Sequence, residues 1–242
     1  MKTLMINASP KKKLSVSAYF LFVLRAFTFG KVKKETLRNK GDHVRLLEAI
    51  GEADNIVFFL PLYVDGVPSH VLAFLKEAER YCRENGKKAN IYAVSNSGFI
   101  EGCQNRALME IFANFCKRSG LEWCGGIGIG GGVMLNVMRI MFFVYIGLCA
   151  VNIAAGNPVK DALLEFARET AVVVFFNIGV FFYSARMGAA LRKGRSFGVK
   201  FTRAMMPSFL FIIVADIFFI LISVLKGGVF RGWLSRKQPT GA

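Results

Sequence analysis

Three short stretches carry residue types that could hold a phosphorylated ligand with a flat ring. The first runs from Asn7-Ala8-Ser9-Pro10-Lys11 to Ser15 and Ser17, and places hydroxyls just ahead of an apolar segment. Hydroxyls beside the unpaired N–H groups and positive dipole end of a helix start make an anion cradle. The second, Pro61-Leu62-Tyr63-Val64, is a rigid apolar and aromatic ledge suited to packing on a ring. The third, Asn96-Ser97-Gly98-Phe99, offers polar backbone. The first stretch lacks the glycines of a dinucleotide fingerprint or a Walker loop, and a serine-rich helix cap accounts for its hydroxyls equally well.

Other chemistries have less support. His43 and His70 are isolated, and Cys82, Cys103, Cys116, Cys124 and Cys149 lack metal-ligand spacing. A zinc site or a His-based triad is therefore not expected. An odd, scattered cysteine set argues against a disulfide framework and fits a reducing compartment. Tyr63 could hydrogen-bond a small acceptor, but stacking or core packing is its plainer role; no catalytic acid or base is assigned.

The three stretches share one position, the carboxyl end of a strand. Residues 2–7, 31–38, 55–60, 89–95 and 121–129 read as strands, and NIVFFL at 55–60 is continuously apolar, as a strand buried on both faces must be. Helical patterns fall between them at 14–28, 42–52, 68–85 and 102–119. Such alternation predicts an α/β fold with a doubly wound parallel sheet of five strands, whose ligands sit outside the carboxyl ends.

Residues 1–130 resemble the flavodoxin-like NAD(P)H-dependent oxidoreductases, the group of FMN reductases and quinone reductases. The resemblance lies in MINASPKK, in ADNIVFFLPLYVDGVPSHVLAFL and in the NSGFIEG turn with its following helix. It implies bound FMN, with Ser9, Lys11, Ser15 and Ser17 on its phosphate. Pro61, Leu62, Tyr63 and Val64 would line the ring, and Asn96, Gly98 and Phe99 would close the polar edge. It further implies NAD(P)H as reductant, a small-molecule acceptor such as a quinone, and pairing into a homodimer. An electron carrier, or a tethered interaction domain without enzymatic activity, is the alternative on the same fold.

The rest of the chain is different material. Apolar residues make up 54% of the 242, and mean hydropathy is +0.43, too oily for an ordinary soluble domain. Runs at 134–155, 171–191 and 205–225 approach or reach the roughly 20 apolar residues that cross a bilayer. The division expected is a flavodoxin-like domain at 1–132, an apolar insertion or first membrane segment at 133–156, an amphipathic helix at 157–170 and a helical membrane region at 171–242. The helix at 157–170 could return to complete the sheet domain. The glycine run from Gly125 to Gly132 reads as a hinge.

The net charge of +16 is spread over both parts: 19 Lys and Arg against 12 Asp and Glu in residues 1–130, then 13 against 4. Basic residues flanking apolar runs point to anionic lipid, and the loop at 192–203 and the tail after Lys226 both favour the cytoplasmic side. The expected location is the cell membrane, with the sheet domain cytoplasmic and lipid as a partner. No basic-aromatic motif suggests nucleic acid.

Overall fold

A computed structural model describes residues 1–12, 15–225 and 227–228; the basic tail beyond lies outside the described residues. The chain divides into two units, Met1–Met205 and Met206–Ala242.

The first unit is built on strands β1 (Lys2–Asn7), β2 (Lys31–Thr36), β3 (Asn55–Pro61), β4 (Asn90–Asn96), β5 (Glu122–Gly130) and β6 (Gly198–Arg203). All pair in parallel, in the order β2-β1-β3-β4-β5-β6. The first five strands follow the 2-1-3-4-5 order of flavodoxin-like sheets. The sheet therefore has six strands rather than five, the extra one lying beyond the run of soluble-looking sequence. Lys200 and Arg203 on β6 suit an edge strand, since charge discourages further pairing there.

Helices α1 (Val16–Ala26), α2 (His43–Glu52), α3 (Ser69–Glu84) and α4 (Arg106–Ser119) connect the first five strands. Successive side chains of a strand point to opposite faces, and β3 divides its residues between two cores on that rule. Ile56, Phe58 and Leu60 enter the core beneath α2, α3 and α4. Val57 and Phe59 enter the other core, with Phe20 and Leu24 of α1.

The cover on that second face is completed from far along the chain. Helix α6 (Val159–Lys193) has 35 residues. Its buried positions Val173, Asn177, Val180, Ser184, Met187 and Leu191 recur every three or four residues, one face of a helix. Val180, Met187 and Leu191 join the core of α1, Val57 and Tyr92. Burying such side chains stabilises by about 1.5–3 kcal/mol each. The sheet is covered by residues 177–191, then, and not by 158–169.

The glycine run expected as a hinge is mostly β5 itself. A Cβ on Gly125 would lie 2.1 Å from the Gly198 carbonyl oxygen, and one on Gly130 would lie 2.0 Å from that of Ile100. The strand needs glycine because β6 and the loop at Ile100 press directly on its backbone.

Helix α5 (Gly132–Ala154) leaves the carboxyl end of β5, and the turn at 155–158 returns the chain into α6. Met205, just past the carboxyl end of β6, donates its N–H to the Phe176 carbonyl, while Leu191 accepts from Asn55 at the opposite edge. Residues 159–175 of α6 therefore project beyond the carboxyl edge by about 25 Å at 1.5 Å per residue. They pack on α5 through Phe142–Phe166, with ring centroids 6.0 Å apart, and through Asn152, which donates to Glu165.

By length and composition, three helices among the described residues could cross a membrane: α5, α6 and α7 (Ser208–Leu225). Helix α7, in the second unit, is the most apolar, with mean hydropathy 2.8 and Asp216 as its lone charge. For α5 to cross and α6 to return, Glu165, Arg168 and Glu169 would have to enter hydrocarbon, while Lys160 and Asp161 follow the turn at the far interface. Charges at the bilayer centre cost about 2.5–3.5 kcal/mol each, so the return costs several kcal/mol, less what the Arg168–Glu169 pair recovers.

Candidate functional site

The β1–α1 loop is folded by its own side chains. Asn7 Oδ1 accepts from the Ser9 N–H at 3.2 Å, and Ser9 Oγ accepts from the Lys11 N–H at 3.4 Å. Ser15 caps α1, its Oγ accepting from the Ala18 N–H at 3.1 Å. A hydroxyl that accepts an N–H keeps its own proton to donate, so Ser9 and Ser15 can still serve an anion. No acidic residue stands in the first turn of α1 to cancel the helix dipole. Lys11 and Lys12 are exposed beside the loop. Residues 13 and 14 lie outside the described residues.

Two residues that the sequence pattern does not single out close on this loop. Arg38, after β2, donates from Nη2 to the Lys12 carbonyl at 3.4 Å. Its Nε is shielded from solvent with no hydrogen-bond partner among the described residues. His70, at the start of α3, places Nε2 3.1 Å from the Ala8 carbonyl oxygen. The available signal for both was position, just after a strand or at a helix start, without a motif or a spacing to reinforce it.

The two other loops are tied to α1 through Asn96. Its Nδ2 donates to Ser17 Oγ at 3.1 Å and to the Leu60 carbonyl at 3.2 Å, while its carbonyl accepts from the Leu62 N–H at 2.8 Å. Ser17 is thus buried, with its hydroxyl accepting from Asn96. Pro61 ends β3 in register with Asn96. Beyond it, Tyr63 and Gly66 exchange backbone hydrogen bonds of 3.0 and 2.9 Å. Between them Val64 and Asp65 both adopt positive φ, 45° and 56°, as in a type I′ turn. A β-branched residue in that region is strained, by about 1–3 kcal/mol. The turn leaves Val64 fully exposed and Tyr63 half-exposed.

Gly98 has open space where a side chain would stand, and Phe99 is exposed beside it. The Phe99 carbonyl accepts from Gly131 and the Ser97 carbonyl from Gly132, so the root of α5 is fastened to this loop. Ser95 donates to Asn105, which donates to the Gly102 carbonyl, and this buried network stiffens the loop from behind. The structure brings Ser9, Lys11 and Ser15 to one loop, and Pro61–Val64 with Asn96, Gly98 and Phe99 to the neighbouring strand ends. Ser17 serves as the brace between α1 and β4.

Buried tyrosine and cysteine side chains of the sheet domain are held neutral. Burial pushes the Tyr19 hydroxyl up to about 12, with the charge of Arg139 acting the other way, and the hydroxyl donates to Asn177 Oδ1 at 2.8 Å. Burial likewise raises the Cys82, Cys116 and Cys124 thiols. His43, buried, is bound to Glu77 at 2.8 Å away from the three loops. No group of three metal-ligating side chains occurs among the described residues.

No protein-family profile matches the chain, and no curated protein matches it. Among solved structures, it resembles an NADPH-quinone reductase from P. pentosaceus at 16% identity and TM-score 0.48, over 54% of this chain and 86% of that one. General stress protein 14 from Treponema denticola, in complex with FMN, is 19% identical at TM-score 0.45, over 52% and 84%. An NAD(P)H:quinone oxidoreductase from Methanothermobacter marburgensis is 15% identical at TM-score 0.43, over 57% and 92%. The 2-1-3-4-5 order of the first five strands is itself that of a flavodoxin-like sheet.

Proposed function

We propose that this chain is a membrane-associated flavoprotein oxidoreductase. It holds FMN at the carboxyl edge of the sheet and passes electrons from NAD(P)H to a quinone or similar small acceptor. The sheet domain lies on the cytoplasmic side of the cell membrane. The observation that carries the reading is the convergence at one edge of an anion cradle and two ring-sized loops cross-tied by Asn96.

The residues fit the cofactor. Ser9, Ser15, Lys11 and the start of α1 would hold its phosphate, with Lys12 and Arg38 adding positive charge; the shielded, unpartnered Arg38 Nε suits an anion nearby. Pro61, Leu62, Tyr63 and Val64 would line the ring, and Asn96, Gly98 and Phe99 its polar edge. When bound, FMN supplies the hydride-accepting and electron-delivering chemistry. The chain's own part is to orient the ring, keep water from one side and leave the other open between exposed Tyr63 and Phe99. Open space at Gly98 lets a flat acceptor approach the backbone. Membrane association is supported by the exposed apolar surface of α5 and α6 and by α7.

The test is spectroscopic. Detergent-purified protein should carry noncovalent FMN, with flavin absorbance bleached by NAD(P)H and restored by a soluble quinone. Lys11→Glu with Arg38→Glu should lose the cofactor while the fold persists by circular dichroism. Colourless protein that fails to take up added FMN rejects the proposal.

A further inference from the structure

Helix α6 has a second face that the sheet does not use. At about 100° per residue, Leu163, Leu164, Val174, Phe175, Ile178 and Phe182 fall within one arc of about 120°. All six are between 45% and 68% exposed. The stripe from 163 to 182 is about 30 Å long. The buried stripe that packs on α5 and on the sheet lies opposite. Asp161, Glu165 and Arg168 occupy the flank between the two, exposed. Only Lys160 interrupts the apolar arc, in the first turn, where a long stem lets its ammonium reach water.

These placements argue against a crossing by α6, which its length and composition alone would allow. Residues 177–191 lie along the sheet domain and cannot also run through hydrocarbon. Residues 159–169 carry a charged flank along their length. An apolar stripe beside a charged one describes a helix that lies in the interface, its apolar face sunk about 5–10 Å below the headgroups. The end of the helix matches the surface above: Arg186, Arg192 and Lys193 follow the stripe, with Arg186 over the Phe182 ring at 5.7 Å and Arg192 over Phe29 at 5.6 Å. Phe22, 70% exposed on the outer side of α1, lies on the same layer.

We infer that α6 docks in the plane of an anionic phospholipid leaflet, with Leu163 to Phe182 in the acyl region and its basic end at the phosphates, and that it does not cross the bilayer. The inference rests on the membrane association proposed above and not on the redox chemistry. The layer of α1 and α6 then faces lipid, and the carboxyl edge opens beside the leaflet.

The experiment uses the full chain in sealed vesicles of phosphatidylcholine and phosphatidylglycerol. Cys103→Ser and Cys149→Ser remove the accessible thiols, and a fluorophore is placed at Leu164→Cys, Ile178→Cys or Glu165→Cys. Labels at 164 and 178 should be quenched several-fold more by a nitroxide near the headgroup end of the acyl chain than by one near its methyl end. The label at 165 should be quenched by an aqueous agent. Asn157→Cys should react with an impermeant maleimide from the same side as Lys76→Cys. Deepest quenching by the methyl-end probe, or reaction of Asn157→Cys from the opposite side alone, overturns the inference. So does absence of lipid quenching at both 164 and 178, the result if a second copy covers the stripe. FMN content of the same samples separates the two readings, since its loss sinks the redox proposal and leaves the depth result standing.

Discussion

The two faces of α6 can be told apart by truncation. Met187 and Leu191 are no more than 1% exposed and belong to the core of Val57, Phe59 and Tyr92, whereas Ile178 and Phe182 are 50% and 54% exposed. Met187→Ala or Leu191→Ala removes buried methylene groups and leaves a cavity, costing about 2–5 kcal/mol. For a unit of this size each kcal/mol lowers the melting temperature by about 2–4 °C, so each inner variant should melt on the order of 10 °C lower. Ile178→Ala and Phe182→Ala should shift it by about 1–2 °C, as exposed positions do. A lipid-spanning helix would behave otherwise, since a leucine contributes only about 0.3–0.6 kcal/mol to insertion. The assay is thermal unfolding followed by circular dichroism in mild detergent. Equal shifts for inner and outer variants, or none for either, would refute the placement of residues 177–191 against the sheet.

Alkali should weaken the fold through Tyr19. Its hydroxyl rises from 10.0 to about 12 on burial, so the folded state binds more protons than the unfolded one in that window, and stability is present below pH 10 and lost as pH rises through 12. The loss is roughly 2–3 kcal/mol, read as a falling urea midpoint, and Tyr19→Phe should remove it. Raised, buried thiols at Cys82, Cys116 and Cys124 predict that native protein incorporates maleimide only at the accessible Cys103 and Cys149, with no burst at the other three on going from pH 7 to 9. Mass spectrometry of the labelled peptides decides it. Val64→Gly should relieve the strained turn and stabilise by about 1 kcal/mol, less the added freedom of the unfolded chain. FMN titration by fluorescence should at the same time show weaker binding, because the ledge loses a wall.

Sequence alone determined a parallel α/β sheet and pointed to its carboxyl edge as the candidate site. NIVFFL reads as a strand buried on both faces and is one, and the ends of β1, β3 and β4 carry the hydroxyls, the ledge and the asparagine that the fold brings to one edge. Local composition could not locate β6, because the alternation Val199-Lys200-Phe201-Thr202 is short, lies in a basic loop between apolar runs, and is separated from β5 by residues 131–197. It is a strand because β5, stripped to glycine, offers a backbone it can approach. Nor could composition show that the apolar run at 171–191 covers the sheet, since hydropathy counts apolar residues without saying what they touch. Ser17 looked like a partner for phosphate and became a brace, because the direction of a side chain depends on which loop its helix meets. Each of these was settled by contacts between distant parts of the chain, where only tertiary packing decides.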